Sequence, residues 1–225
     1  MRLRRESKPC DLQLGRKEKR LRVNTSTTST ELSTATVKLG DLTELLNGAM
    51  THAHAKSDLP VLNTVRLEAT GLHLTATATD RYRLINGAIT LEDSGQTLPA
   101  SLIALADVKR ILALLKGEGA RMDSLPVTIS HAGDMVSVST RGNAITVTLV
   151  AGTYPPFEKY LDTTPALVAQ EVASFNPAFF ADYAKIAGKG KPVSIHFTGK
   201  GKPMRIVFEG NKVEWNAILM PMSIK

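Results

Sequence analysis

The 225 residues, 43% hydrophobic and 22% charged, are enough for one large domain or two small ones with a sizeable core. Aromatic residues, at 5%, are too sparse for base-stacking platforms. The formal charge of +7 comes almost entirely from residues 1–24, so affinity for nucleic acid has to come from that tail or from where the remaining, nearly balanced charges sit.

Residues 1–35 are basic and then rich in Ser and Thr, without hydrophobic periodicity, and are expected to be a disordered tail. Cys10 stands alone, which excludes an internal disulfide and a thiolate metal site. There is no apolar run of bilayer length and no apolar signal core after the basic start, so a cytoplasmic protein is expected.

From there the chain repeats one pattern three times: a strand, an amphipathic helix and three strands. Unit one begins at Thr36-Val37-Lys38. Leu42, Leu45, Leu46, Ala49 and Met50 then form one helical stripe after an Asp41/Glu44 start, and strands follow from Leu62 to Leu67 and in the alternating stretch from Leu72 to Leu91. Unit two opens at Thr97-Leu98-Pro99 and has a helix between Ser101 and Lys116. Its strands run over 127–130, 135–140 and 144–149, turned at Gly133-Asp134 and Gly142-Asn143. Unit three has a strand over 168–175, an Asn176-Pro177 helix start, and a helix that carries Phe179, Phe180, Tyr183 and Ala187 inward. Its strands run over 193–197, 204–208 and 213–219. The runs Gly188-Lys189-Gly190-Lys191-Pro192 and Gly199-Lys200-Gly201-Lys202-Pro203 lack the spacing of a phosphate loop and are read as hairpin turns. The pattern is α+β.

Nothing in the chain converges on catalysis. His52 and His54, two apart, point in different directions on a helix, while His73, His131 and His196 sit in or beside strands. All are read as surface or partly buried histidines, with no metal expected. Asp80 is read as a turn acceptor or ion-pair partner of Arg81 and Arg83, and Glu92-Asp93 as solvated loop. There is no Ser-His-Asp or phosphate-loop arrangement, so neither an enzyme nor a cofactor is expected.

Three separated segments occur in a telling order: Ala78-Thr79-Asp80-Arg81-Tyr82-Arg83-Leu84, Gly152-Thr153-Tyr154-Pro155-Pro156-Phe157 and Ile218-Leu219-Met220-Pro221-Met222. They resemble the bacterial beta sliding clamp family, the processivity subunit of DNA polymerase III, where the stretches read like Ala-Thr-Asp-Gly-His/Tyr-Arg-Leu, Gly-Phe-Pro-Asp-Tyr and Met-Pro-Met/Val-Arg-Leu. Asn176-Pro177-Ala178-Phe179-Phe180 resembles the start of that family's last helix. Units one and two look like its middle domain (residues 36–162) and unit three like the second half of its last domain (163–225). The family's first domain and the first half of its last have no counterpart.

The resemblance implies a DNA-clamp fold with antiparallel sheets outside and helices on one face. It implies a homo-oligomeric ring that slides on duplex DNA without reading its sequence, in the service of DNA replication. DNA-facing cations would be Lys109, Arg110 and Lys116 on the second helix and Lys185 and Lys189 on or beside the third. Asn47, His52, His54 and Lys56 give the first helix a poor electrostatic surface; solvated helix surface is the plain alternative for the lysines. The resemblance further implies a peptide pocket that receives short motifs from polymerase and clamp loader. Its residues would be Thr79, Arg81, Tyr82, Arg83, Leu84, Pro155, Tyr160, Ile218, Met220, Pro221 and Met222. Arg81 replaces a usual glycine and Ser223 a common arginine. The alternative is a clamp-like interaction protein that captures such peptides without circling DNA.

An odd number of units leaves one without a mate. Unit three is expected either to pair with unit three of a second chain, two such dimers supplying twelve units, or to tuck against unit two of its own chain. Unpaired, its Phe179, Phe180 and Tyr183 face would be exposed.

Overall fold

The computed structural model describes residues 32–56, 58–119, 122–161, 173–199 and 201–222. The expectations for residues 1–31, for most of the strand over 168–175 and for Ser223 lie outside that range. At residues 33–35 the expectation of a disordered tail is corrected. Ser33–Lys38 is strand β1, paired in register from Ser33 with His131 to Lys38 with Pro126.

Unit one continues with α1 (Leu39–Met50), β2 (Thr64–Thr70), β3 (His73–Thr79) and β4 (Arg83–Thr90). Unit two is β5 (Leu98–Ala104), α2 (Leu105–Gly117), β6 (Pro126–Ala132), β7 (Met135–Thr140) and β8 (Asn143–Thr148). After a short helix α3 (Glu158–Leu161), which sequence periodicity did not reveal, unit three supplies α4 (Pro177–Ala187), β9 (Val193–Phe197), β10 (Met204–Glu209) and β11 (Glu214–Leu219). The apolar stripes do what their spacing demands: Leu42, Leu45, Leu46 and Ala49 of α1 are buried, as are Val108, Ile111, Leu112 and Leu115 of α2. Asn176 caps α4, its side chain accepting from Ala178 N at 3.0 Å.

The strands form two antiparallel sheets. One has the order β1-β6-β7-β8, the other β5-β2-β3-β4-β11-β10-β9. Each of the first two units lends its first strand to the other's sheet, β1 to β6 and β5 to β2, so the two complete each other. Unit three joins through β11, which pairs with β4 of unit one from Glu214 opposite Ala88 to Leu219 opposite Arg83. The alternative in which unit three tucks against unit two is corrected in its main contact: the strand pairing is with unit one, while unit two meets unit three through the Lys212–Asp123 ion pair at 2.7 Å. The edge that β11 extends belongs to unit one, while β8 of unit two stands at an edge of the other sheet.

What seals that seam is Trp215. Its ring lies against Gly48 of α1 and Gly87 of β4, where an added Cβ would come within 2.3 and 2.5 Å of it. Two glycines in regular elements thus make room for one indole. Trp215 stacks on Phe208, Phe208 meets Tyr183 edge-on, and Tyr183 tilts against His52 just past α1. Aromatic burial removes roughly 150–250 Å² per ring from water, about 4–6 kcal/mol each at ~25 cal/mol per Å². Midway along α1, Glu44 accepts the backbone amides of Asn211 and Lys212 at 2.7 and 3.1 Å, tying the β10–β11 turn to the helix.

Of the α4 residues expected inward, Tyr183 and Ala187 are buried and Phe179 and Phe180 partly so, because unit one covers the face that an unpaired unit would expose; among the described residues the exposed large hydrophobics of unit three are Ile195 and Phe197 on β9 and Met220 and Met222 beyond β11. The chain reverses between β9 and β10, with Lys202 N donating to Gly199 O at 3.1 Å, as expected of a hairpin, whereas residues 188–192 join α4 to β9 and are not a hairpin turn as expected.

Candidate functional site

Strand alternation separates two faces of the large sheet. Ile85, Gly87, Ala217 and Trp215 point to the α1 and α4 side, and the paired residues Leu84 and Ile218 point the other way. An apolar pair on an outer face needs a cover. Phe157 provides it, with Tyr154 and Leu161 packed around it. Tyr154 meets Phe157 edge-on at 6.1 Å, and burial, the largest influence, pushes its phenol above the ordinary range.

Over this floor lies a cavity of about 390 Å³ astride the β4–β11 seam. Nine of the eleven residues named from sequence line it: Thr79, Arg81, Tyr82, Arg83, Leu84, Pro155, Tyr160, Ile218 and Met220. Pro221 and Met222 do not line it. Met222 N donates to Ser174 O at 2.7 Å, which carries the chain past the cavity toward the start of α4. Sequence reasoning missed Leu62, Pro156, Phe157, Lys159 and Pro203. Phe157 lay within a quoted segment and was legible there. Pro203 comes from the β9–β10 turn and reaches the cavity only through the fold. Tyr82, Tyr160 and Met220 are exposed at the rim, a profile of apolar walls with a few polar groups that suits a short apolar ligand.

The turn between β3 and β4 fixes the rim. Asp80 Oδ1 accepts from Tyr82 N and Arg83 N, both at 3.0 Å, and Oδ2 accepts from Arg83 Nε at 3.1 Å, so Asp80 is both turn acceptor and ion-pair partner. Thr79 Oγ1 donates to Arg83 O at 2.7 Å and accepts from Arg81 N at 3.2 Å. Arg81 adopts φ +80°, a conformation that glycine takes without strain and an arginine does not. The backbone thus accounts for the glycine of the resembled motif. The Arg81 guanidinium lies 6.0 Å over the Tyr82 ring.

Arg83 borders the cavity, but its guanidinium turns to the helix side and ties three elements together. It donates to Asp182 of α4 at 2.6 Å, to Asp80, and to Thr51 O at 3.0 Å, and it sits 4.4 Å over the Phe179 ring. Burial works to raise the pKa of Asp182, but hydrogen bonds from Arg83 and Lys185 hold it below the ordinary carboxylate range.

His52, expected at the surface or partly buried, is fully buried. Burial first, and the charge of Arg83 second, lower its pKa to about 3, so it is neutral at physiological pH. Its Nδ1 lies 2.8 Å from Thr51 Oγ1. His54 is partly buried, 2.9 Å from Asp58. Among the described residues no group of three or more His, Cys, Asp or Glu is placed to hold a metal ion. No described helix is long and apolar enough to cross a membrane.

The cations named as DNA-facing are all exposed on the helices or just beyond them: Lys109, Arg110 and Lys116 on α2, Lys185 on α4, Lys189 in the turn after it. Arg110 is paired with Asp107 at 2.7 Å and Lys185 with Asp182 at 3.3 Å. Lys109, Lys116 and Lys189 have no ion-pair partner among the described residues.

This arrangement, antiparallel sheets with helices on one side, is the DNA-clamp fold, shared with solved sliding clamps. DNA polymerase III beta subunit from Thermotoga maritima superposes with a TM-score of 0.70 at 16% identity, over 86% of this chain and 66% of that one. The sliding clamp of Caulobacter crescentus gives 0.71 at 14%, over 88% and 67%. In sequence, 107 residues are 33% identical to the beta sliding clamp of Micrococcus luteus, which is 47% of this chain and about a third (34%) of that protein. No family model matches the chain. By sequence and fold together, the chain is related to the bacterial beta sliding clamps, in a part-length form.

Proposed function

We propose that this chain is a DNA polymerase processivity factor, a sliding clamp that works as a homo-oligomer around duplex DNA and tethers polymerase and other replication proteins. Residues 36–162 would form a complete clamp domain and 163–225 half of one. The role is mechanical, with no catalysis, and is served in the cytoplasm. The observation that carries this reading is the outward cavity on the β4–β11 seam, built from three sequence segments that resemble the clamps'. It lies on the opposite side of the sheet from α1 and α4. A clamp needs both features: cations without base-reading groups on the helix side, so that contacts stay weak enough to slide, and an adaptable apolar pocket elsewhere for short peptides.

A primed circular template tests the clamp function. The protein, loaded with a polymerase's clamp loader, should stay on closed circles and leave when they are linearised. Equal retention on both forms, or on neither, overturns encirclement; in the second case peptide capture without DNA is the function left. The pocket is tested separately with a Leu- and Phe-containing peptide followed by fluorescence anisotropy. Tyr160→Asp and Met220→Lys, both at exposed rim positions, should weaken capture at least tenfold. Unchanged affinity in both overturns the pocket assignment.

A further inference from the structure

Units one and two show how a unit of this fold is completed. One backbone hydrogen bond ties the middle of each first strand to the segment just past the last strand of its own unit. Glu92 N donates to Thr36 O at 2.8 Å in unit one, and Val150 N to Leu102 O at 2.9 Å in unit two. On both sides of that bond β1 pairs with β6, from Ser33 to Lys38, and β5 with β2, from Leu98 to Ala104. Unit three repeats the bond, Met222 N donating to Ser174 O at 2.7 Å. In all three units the acceptor lies three residues before the helix start, at Leu39, Leu105 and Pro177. The junction is present three times, but among the described residues only units one and two exchange first strands.

The receiving side of unit three is open in the same sense. β2 and β6, the strands that follow α1 and α2, are paired on both edges, whereas β9, which follows α4, pairs only with β10 among the described residues. Ile195 and Phe197 of β9 lie opposite Ile206 and Met204 of β10 and so share their core-side face. Ile206 and Met204 are buried, while Ile195 and Phe197 are 43% and 41% exposed. The apolar layer of unit three therefore continues past its cover to a strand edge, a combination soluble proteins otherwise avoid.

We propose that β9 and the core-side face of unit three are the contact surface for unit three of a second copy of this chain, the two related by a twofold axis. The exchange between units one and two is reciprocal, each giving a strand and receiving one. Two copies of unit three about a dyad offer each other the same surface, as units one and two do, and such a pairing closes on itself rather than growing into a filament. One tie is not repeated. Leu39 N and Leu105 N each donate to a residue just ahead of the mate's sheet strand, Leu125 O and Asn63 O, but Pro177 has no amide to donate. The inference deepens the homo-oligomer reading above, on which its purpose rests, though its geometry stands apart from DNA.

Sedimentation equilibrium of the full chain, with and without Ile195→Lys and Phe197→Glu together, tests it. The wild-type particle should be a dimer or a multiple of one. The double variant, altered at exposed positions, should keep its circular dichroism spectrum and associate at least 100-fold more weakly. A monomeric wild type at micromolar concentration, or a folded variant that associates as tightly, overturns the proposal. Should the variant not fold, amide exchange of β9 in the wild type decides. Protection should rise with concentration across the association range, and exchange that does not change there overturns the contact. A wild-type dimer that is not retained on circular DNA leaves this contact standing and removes only the clamp function.

Discussion

The two edges of unit three carry similar residues and meet different fates. At β11, Trp215, Ala217 and Leu219 face the core and are fully covered, because β4 supplies a strand and Gly48 and Gly87 leave a slot for the indole. At β9, Ile195 and Phe197 face the same side and stand in the open. The difference lies in the neighbour. A repeated unit of this kind cannot bury its own apolar face and is made stable by what completes it.

Breaking the closed edge should have the largest effect. Trp215→Ala empties the slot between two glycines that cannot fill it, and should lower the free energy of unfolding by about 3–5 kcal/mol, read from urea denaturation. Unit three should lose amide protection before units one and two do. If its protection and that of the first two units fall together, the two regions form one cooperative block and the contrast drawn between them is wrong.

The junction between α1 and α4 can be probed by pH. His52 is neutral when folded, with its pKa lowered to about 3 by burial and by Arg83, and takes up a proton more readily once unfolded. Between about pH 6.5 and 3 the unfolded state therefore binds more protons, so stability is complete above the unfolded value and falls as pH drops. The loss at pH 5 should be about 2 kcal/mol relative to pH 7. His52→Gln should flatten the slope. A slope that persists in this variant assigns it to other groups.

The smallest effect concerns the turn that frames the seam. Arg81→Gly relieves a left-handed residue but loosens the unfolded chain, for a net gain of about 0.5–1 kcal/mol in thermal or urea unfolding. A loss of stability would mean that the Arg81 contact with Tyr82 outweighs the backbone strain.

Much of the candidate site was legible because it is local. The Thr79–Leu84 turn carries its own hydrogen bonds, and the resembling segments brought Pro155, Tyr160, Ile218 and Met220 to the same place. Pro203 and Leu62 were not legible, since they reach the cavity by the packing of separate elements. His52 was misplaced for a related reason. It follows an amphipathic helix whose end looks exposed until Tyr183, more than a hundred residues on, covers it.

Composition, helical stripes and strand alternation determined the three units, their helices and most of their strands, because those signals act over a few residues. Which edge β11 joins, what buries Tyr183, and that β9 has an open edge among the described residues were decided by the tertiary structure alone. Antiparallel strands pair through nearly identical backbone groups, so the choice between edges depends on the shapes that meet, and here two glycines and one indole make that shape.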